Sequence, residues 1–138
     1  MFCSLSLVES VEEITLQLNQ TVTITSPDFP SSYPNDAFNQ WSFTSPPGTH
    51  IILTVTSHSS EANYDYVRFG DGHDSANLDS LILVLQDVDN KPIEGQPLYS
   101  SVGNKIWLYF VSDYSLTQAG FEYNLTAANV GGKWILSI

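Results

Sequence analysis

Three acids occupy the positions in this chain best suited to chemistry. A carboxylate can cap a loop, hold a hard cation or pair with a basic group. Asp65 opens the alternating run Tyr64-Asp65-Tyr66-Val67-Arg68-Phe69 and shares its parity with Val67 and Phe69, so it points toward the core side at a strand end. An unpaired carboxylate buried there is costly, so Asp65 needs a partner. Asp113 ends the apolar stretch Ile106 to Val111 at a loop, and Glu61 lies in the loop just ahead of Tyr64-Asp65. From their residue types alone, Asp65 and Asp113 fit equally well as loop caps that accept hydrogen bonds from backbone amides. Asp71, Asp74 and Asp79, with Asp87 and Asp89 later, lack the spacing and glycine placement of an EF-hand loop and read as a solvated stretch.

Other reactive groups give less. His50, His58 and His73 sit in no metal-ligand spacing, and no Gly-x-Ser-x-Gly word or phosphate-binding glycine loop occurs. His58, Ser59 and Glu61 are close in sequence, but a triad is a spatial arrangement, and these read as polar loop residues. The expectation is therefore a protein that is not an enzyme. Cys3 is the single cysteine, so the chain can form no internal disulfide and no thiolate metal cluster. Two Asn-x-Thr sequons occur, at Asn19 and Asn124. Asn124 alternates with the inward Tyr123 and Leu125, so it faces out, where a secreted protein would accept a glycan.

Charge narrows the partners. Four Lys and Arg face 15 Asp and Glu, a formal net charge of −11 over 138 residues. Such a surface repels phosphate backbones and argues against nucleic acid or anionic membranes, while divalent cations or basic protein surfaces fit it. Charged residues are only 14%, so Ser, Thr, Asn and Gln supply most of the polarity, as is common in secreted β proteins. The longest apolar stretches, Ile51 to Leu53, Leu81 to Leu85 and Ile106 to Val111, are far too short to span a membrane as a helix.

The elements that position these residues follow a period of two. Val22 and Ile24 share a face in Thr21 to Thr25, as do Trp41 and Phe43 in Gln40 to Phe43. Ile51, Leu53 and Val55 face inward in His50 to Thr56. Ser80 to Gln86 is continuously apolar and reads as a buried strand, and Asp87 to Gln96 as a polar connection. Asn104 to Ser112 alternates Ile106, Leu108 and Phe110 against Trp107, Tyr109 and Val111. Ala119 to Ala127 places Phe121, Tyr123 and Leu125 on one face. Residues 9 to 18 fit a short helix or a further strand, and the parity of Ile14, Leu16 and Leu18 favours the strand. Many short strands with Pro- and Gly-rich turns predict an all-β sandwich or barrel in one domain. Three spans are expected: residues 1–18 as a leader or extension, 19–127 as the folded domain, and 128–138 as a tail or linker remnant.

The strand and loop words in order resemble a family. Ser26-Pro27-Asp28-Phe29-Pro30, Tyr33-Pro34-Asn35, Trp41 and Pro46-Pro47-Gly48 resemble the opening half of a CUB domain. Tyr64-Asp65-Tyr66-Val67 with Asp71-Gly72 is similar to its midpoint. Phe110-Val111-Ser112-Asp113-Tyr114-Ser115, then Gly120-Phe121-Glu122-Tyr123, is similar to its last two strands. The resemblance implies an antiparallel jelly-roll-like β-sandwich, in keeping with the period-two reading. Its departures are the usual disulfide cysteines: Gln40 stands where a cysteine normally precedes the Trp, and none occurs near Asn63.

The same resemblance implies a calcium ion held by Glu61, Asp65, Asp113 and a backbone carbonyl of Ser115, with the Tyr33 hydroxyl hydrogen-bonded to the carboxylates. It implies an extracellular, non-enzymatic module. Its partner would be a protein with an exposed Lys or Arg, met by Tyr33, His58, Glu61 and Tyr114. Two other roles are open. One is a carbohydrate-binding jelly roll that stacks sugars on Tyr64, Tyr66, Trp107 and Tyr109. The other is an accessory domain of a multidomain extracellular protease.

Overall fold

β-Branched and aromatic residues at every second position suit a pleated, half-buried surface, and the chain uses them that way throughout. A computed structural model describes residues 11–61, 64–72, 81–85 and 93–129. Nine strands occur there: β1 (Val11–Thr15), β2 (Thr21–Thr25), β3 (Phe38–Thr44), β4 (Thr49–Ser59), β5 (Tyr66–Asp71), β6 (Leu81–Leu85), β7 (Gln96–Ser100), β8 (Lys105–Val111) and β9 (Gly120–Asn129). No helix occurs among the described residues. The strands form a five-stranded sheet, β1-β3-β8-β5-β6, and a four-stranded sheet, β2-β9-β4-β7. All neighbours are antiparallel except β1 and β3, which are parallel. The fold is an antiparallel jelly-roll-like β-sandwich.

The core lies between the sheets. Trp41, Phe43, Val67, Phe69, Ile106, Leu108 and Phe110 meet Ile24, Ile51, Leu53, Val55, Phe121, Tyr123 and Leu125 across the interface. Phe110 and Phe121 bridge the layers edge to face, with ring centres 5.2 Å apart. The alternations expected at Val22/Ile24, Trp41/Phe43, Ile51/Leu53/Val55 and Phe121/Tyr123/Leu125 are those observed, Val22 being half-buried and the rest buried.

Four features depart from the sequence expectations. Gln96–Ser100, only touched by the expected polar connection, is the edge strand β7. Pro97 there lacks an N–H, and an edge strand tolerates that because one side has no strand partner among the described residues. The apolar β6 is also an edge, not a strand buried along its length. Leu85 is buried, while Ile82 is 39% exposed. β1 lies within residues 1–18, the stretch read as an extension, yet it pairs with β3 and delivers Leu16 to the core. Finally, the β4–β9 register shifts between Val55 and Ser57. That bulge reverses the side-chain parity of the last third of β4. Cys3, His73, Asp74, Asp79, Asp87, Asp89 and the tail from residue 130 lie outside the described residues.

Candidate metal centre

Three connections meet at one end of the sandwich. Tyr33 comes from the β2–β3 loop, Glu61 and Asp65 from the β4–β5 connection, and Asp113 and Ser115 from the β8–β9 loop. Tyr33 is buried, with its ring edge-on to Phe110 at 5.0 Å and its N–H donating to the Gln118 carbonyl at 3.1 Å. The β8–β9 loop is tied back where the Asp36 N–H donates to the Asp113 carbonyl at 2.7 Å. The Ser112 hydroxyl donates to the Pro34 carbonyl and accepts from the Ala37 N–H, both at 2.8 Å. Ser112 carries no chemical signal in the sequence that would have marked it as an anchor of the site.

The parity argument for Asp65 holds. It is fully buried, and both of its oxygens are met. The Tyr33 hydroxyl donates to Oδ2 at 2.6 Å, and the Asp113 N–H donates to Oδ1 at 2.8 Å. The Tyr33 hydroxyl also accepts the Glu61 N–H at 3.0 Å, so one phenol links two of the acids. The Glu61 carbonyl accepts the N–H groups of Tyr64 and Asp65 at 3.2 and 3.1 Å, which folds the acids toward each other. Ser115 donates its N–H to Asp113 Oδ1 at 3.1 Å.

The electrostatics are strained. Burial pushes the Asp65 carboxyl above the usual carboxylate range, against the hydrogen bonds from Tyr33 and the Asp113 N–H, which pull it down. Glu61 is raised too, first by desolvation and then by the charges of Asp113 and Asp65. The Tyr33 phenol is raised by burial and by its bond to Asp65. One ligand oxygen from each of Glu61, Asp65 and Asp113 lies within 4.8 Å of the others. Calcium binds oxygens at about 2.3–2.6 Å, so two of its ligands lie at most ~5 Å apart. Glu61 Oε1 is buried without a hydrogen-bond partner. An orphaned acceptor among converging carboxylates fits a hard cation, and a pure loop-capping role gives that oxygen nothing to do.

The other expected site residues separate. Tyr114 is 80% exposed beside the acids. His58 is not at the surface: the β4 bulge turns it inward, against the stacked rings of Phe121 and Tyr123. Its Nδ1 meets the Tyr123 hydroxyl at 2.7 Å and its Nε2 the Ser60 hydroxyl at 3.2 Å. A partner's side chain cannot reach it there. Asn19 lies on the exposed β1–β2 turn. Asn124 faces outward on β9, half-buried, with its Oδ1 accepting from the Thr23 hydroxyl at 2.6 Å. Trp107 is buried, so the aromatic row read as a sugar platform loses its largest ring. Asp71 is not simply solvated, since it accepts the Tyr99 hydroxyl and, at 3.2 Å, the Val102 N–H.

The pattern of residues 13–125 matches that of the CUB domain family. The chain belongs to the CUB family. This CUB domain is 33% identical over 115 residues to the zinc metalloproteinase nas-39 of Caenorhabditis elegans, covering 80% of this chain and 11% of that protein. It is 33% identical over 105 residues to Tolloid-like protein 2 of Mus musculus, covering 73% of this chain and 10% of that protein. The chain thus spans about a tenth of the length of these relatives. A solved structure of the MASP-1 CUB2 domain, described as bound to Ca2+, superposes with a TM-score of 0.58. It is 23% identical and covers 80% of this chain and 96% of its own. That likeness confirms the CUB fold.

Proposed function

We propose that this CUB domain is a non-catalytic, extracellular protein-binding module. In this reading Glu61, Asp65 and Asp113 hold a calcium ion, with the Ser115 carbonyl completing the set and Tyr33 orienting Asp65. The observation that carries the reading is the three carboxylates from two connections, converging within 4.8 Å around a buried, unpartnered oxygen. Flexible loops supply the several oxygens that calcium demands, and its charge offsets the burial, and then the repulsion, that raise Glu61 and Asp65. The calcium named for the MASP-1 domain lends the reading support.

The partner in this reading is a protein that offers a Lys or Arg side chain to the same end of the sandwich. Glu61, the exposed Tyr114 and the rim around Tyr33 would receive it, and a net charge of −11 draws basic surfaces toward it. Secretion, glycans on Asn19 and Asn124, and membership of a larger parent protein such as an extracellular protease belong to the same proposal. The test is a calorimetric calcium titration of the full chain and its Asp65→Ala and Asp113→Ala variants, followed by a lysine-bearing peptide with calcium or with chelator. Calcium uptake lost in both variants, with peptide binding only in calcium, is expected. No uptake by the parent chain, or equal peptide binding in chelator, overturns the reading.

A further inference from the structure

The outward face of the five-stranded sheet holds a cation that the acidic loops do not use. Arg68 stands opposite Tyr109 in the β5–β8 register. Its guanidinium carbon lies 4.8 Å from the centre of the Tyr66 ring and 5.8 Å from that of Tyr109, and Nη1 donates to the Tyr109 hydroxyl at 2.7 Å. Trp107 stacks on Tyr109 at 5.9 Å, and Phe38 leans on it from the other side at 5.6 Å. The guanidinium is therefore held in one orientation before any ligand arrives, which lowers the entropy lost on binding.

No acid among the described residues answers this charge. Arg68 Nε is buried without a partner, and among the described residues Nη1 is met by a neutral phenol. A partly desolvated cation without a counter-charge is costly, and a carboxylate supplied from outside removes that cost. Beside it, Phe38 is 40% and Ile82 39% exposed, an apolar margin on the same face. Tyr and Arg beside an exposed apolar rim are among the residues that concentrate binding energy at protein interfaces, with the buried Trp107 backing Tyr109.

We propose that this face docks a protein segment presenting a single carboxylate side chain to Arg68, with apolar neighbours on Phe38 and Ile82. Charge decides between this and a polyanionic glycan. The whole chain has four Lys and Arg against 15 Asp and Glu, and Lys105 is the other described cation on this face, held at the Thr44 hydroxyl, so a repeated negative charge would meet two separated cations and be repelled elsewhere. The surface lies on strands of the sheet and not on the Glu61, Asp65 and Asp113 loops, so it stands or falls apart from the calcium reading.

The test is an NMR titration of the full chain with acetyl-Leu-Glu-Leu-amide, acetyl-Leu-Gln-Leu-amide and a heparin tetrasaccharide. The Glu peptide should shift the Arg68 Nε–H, Trp107 and Tyr109 signals saturably. Affinity should fall about tenfold or more for the Gln peptide and for Arg68→Gln, the scale of a charged hydrogen bond. Phe38→Ala leaves Arg68 in place and keeps the test readable if Arg68→Gln fails to fold; it should weaken the Glu peptide severalfold. Equal affinity for the two peptides, unchanged affinity in Phe38→Ala, or a response to heparin alone overturns the proposal.

Discussion

Replacing Tyr33 by Phe removes one oxygen and leaves the ring against Phe110, so it opens no cavity. That oxygen donates to Asp65 Oδ2 at 2.6 Å and accepts the Glu61 N–H at 3.0 Å. A hydrogen bond to a charged group contributes about 1.5–3 kcal/mol, and a buried donor left unmet costs about 1–3 kcal/mol. The two effects overlap, so a loss of about 3 kcal/mol is expected. For a domain of this size that lowers the melting temperature by roughly 10 °C. The measurement is thermal unfolding in chelator, which keeps metal out of the comparison. A double-mutant cycle with Asp65→Asn should give a coupling of about 1 kcal/mol or more, because the two side chains share one bond. A Tyr33→Phe melt within about 2 °C of the parent would refute the claim that this phenol holds the acids together.

Three further outcomes follow from the same geometry. Gly120 has φ +96°, and a Cβ there would lie 1.9 Å from the Ser26 hydroxyl oxygen, which itself accepts the Phe121 N–H. Gly120→Ala should therefore cost about 2 kcal/mol or more in urea unfolding, and a neutral result would contradict the packing described. Leu53 is fully buried in β4, and Leu53→Ala should cost about 2–5 kcal/mol by the same measurement. Glu61 and Asp65 have folded-state affinities for protons above those of the unfolded chain, so their contribution to stability is lost as pH rises through their raised values. The metal-free protein should thus gain stability as pH falls from neutral toward the carboxylate range. Glu61→Gln should flatten that gain, and superposable pH profiles would count against the raised acids.

The sandwich was legible because most strands have one buried face and so alternate. Trp41/Phe43 and Ile51/Leu53/Val55 announce both period and facing. The misreadings have local causes. Pro97 disguised β7, whose edge position makes the missing N–H harmless. The five apolar residues of β6 suggested burial on both faces, yet the strand is an edge with Ile82 open. His58 looked like an exposed loop residue because no sequence signal marks the β4 bulge that turns it inward. At the site, parity alone indicated that Asp65 is buried and needs a partner. That the partner is Tyr33, 32 residues away, came from the family resemblance, since periodicity is blind to contacts between loops. Ser112 and the Arg68–Tyr109 stack had no sequence signal, because each depends on strand register.

The central claim is that the three converging carboxylates form a calcium site. Melting the full chain in EDTA and then in ~1 mM calcium tests it most directly, with Asp113→Asn as the partner experiment. Asn keeps the side-chain shape and the backbone N–H that Asp65 accepts, and removes the charge. With a dissociation constant of ~0.1 mM, linkage gives about 1.4 kcal/mol of stabilisation, a rise of roughly 3–7 °C. The account predicts that rise in the parent chain and its loss in Asp113→Asn. Identical melts of the parent chain with and without calcium would contradict it.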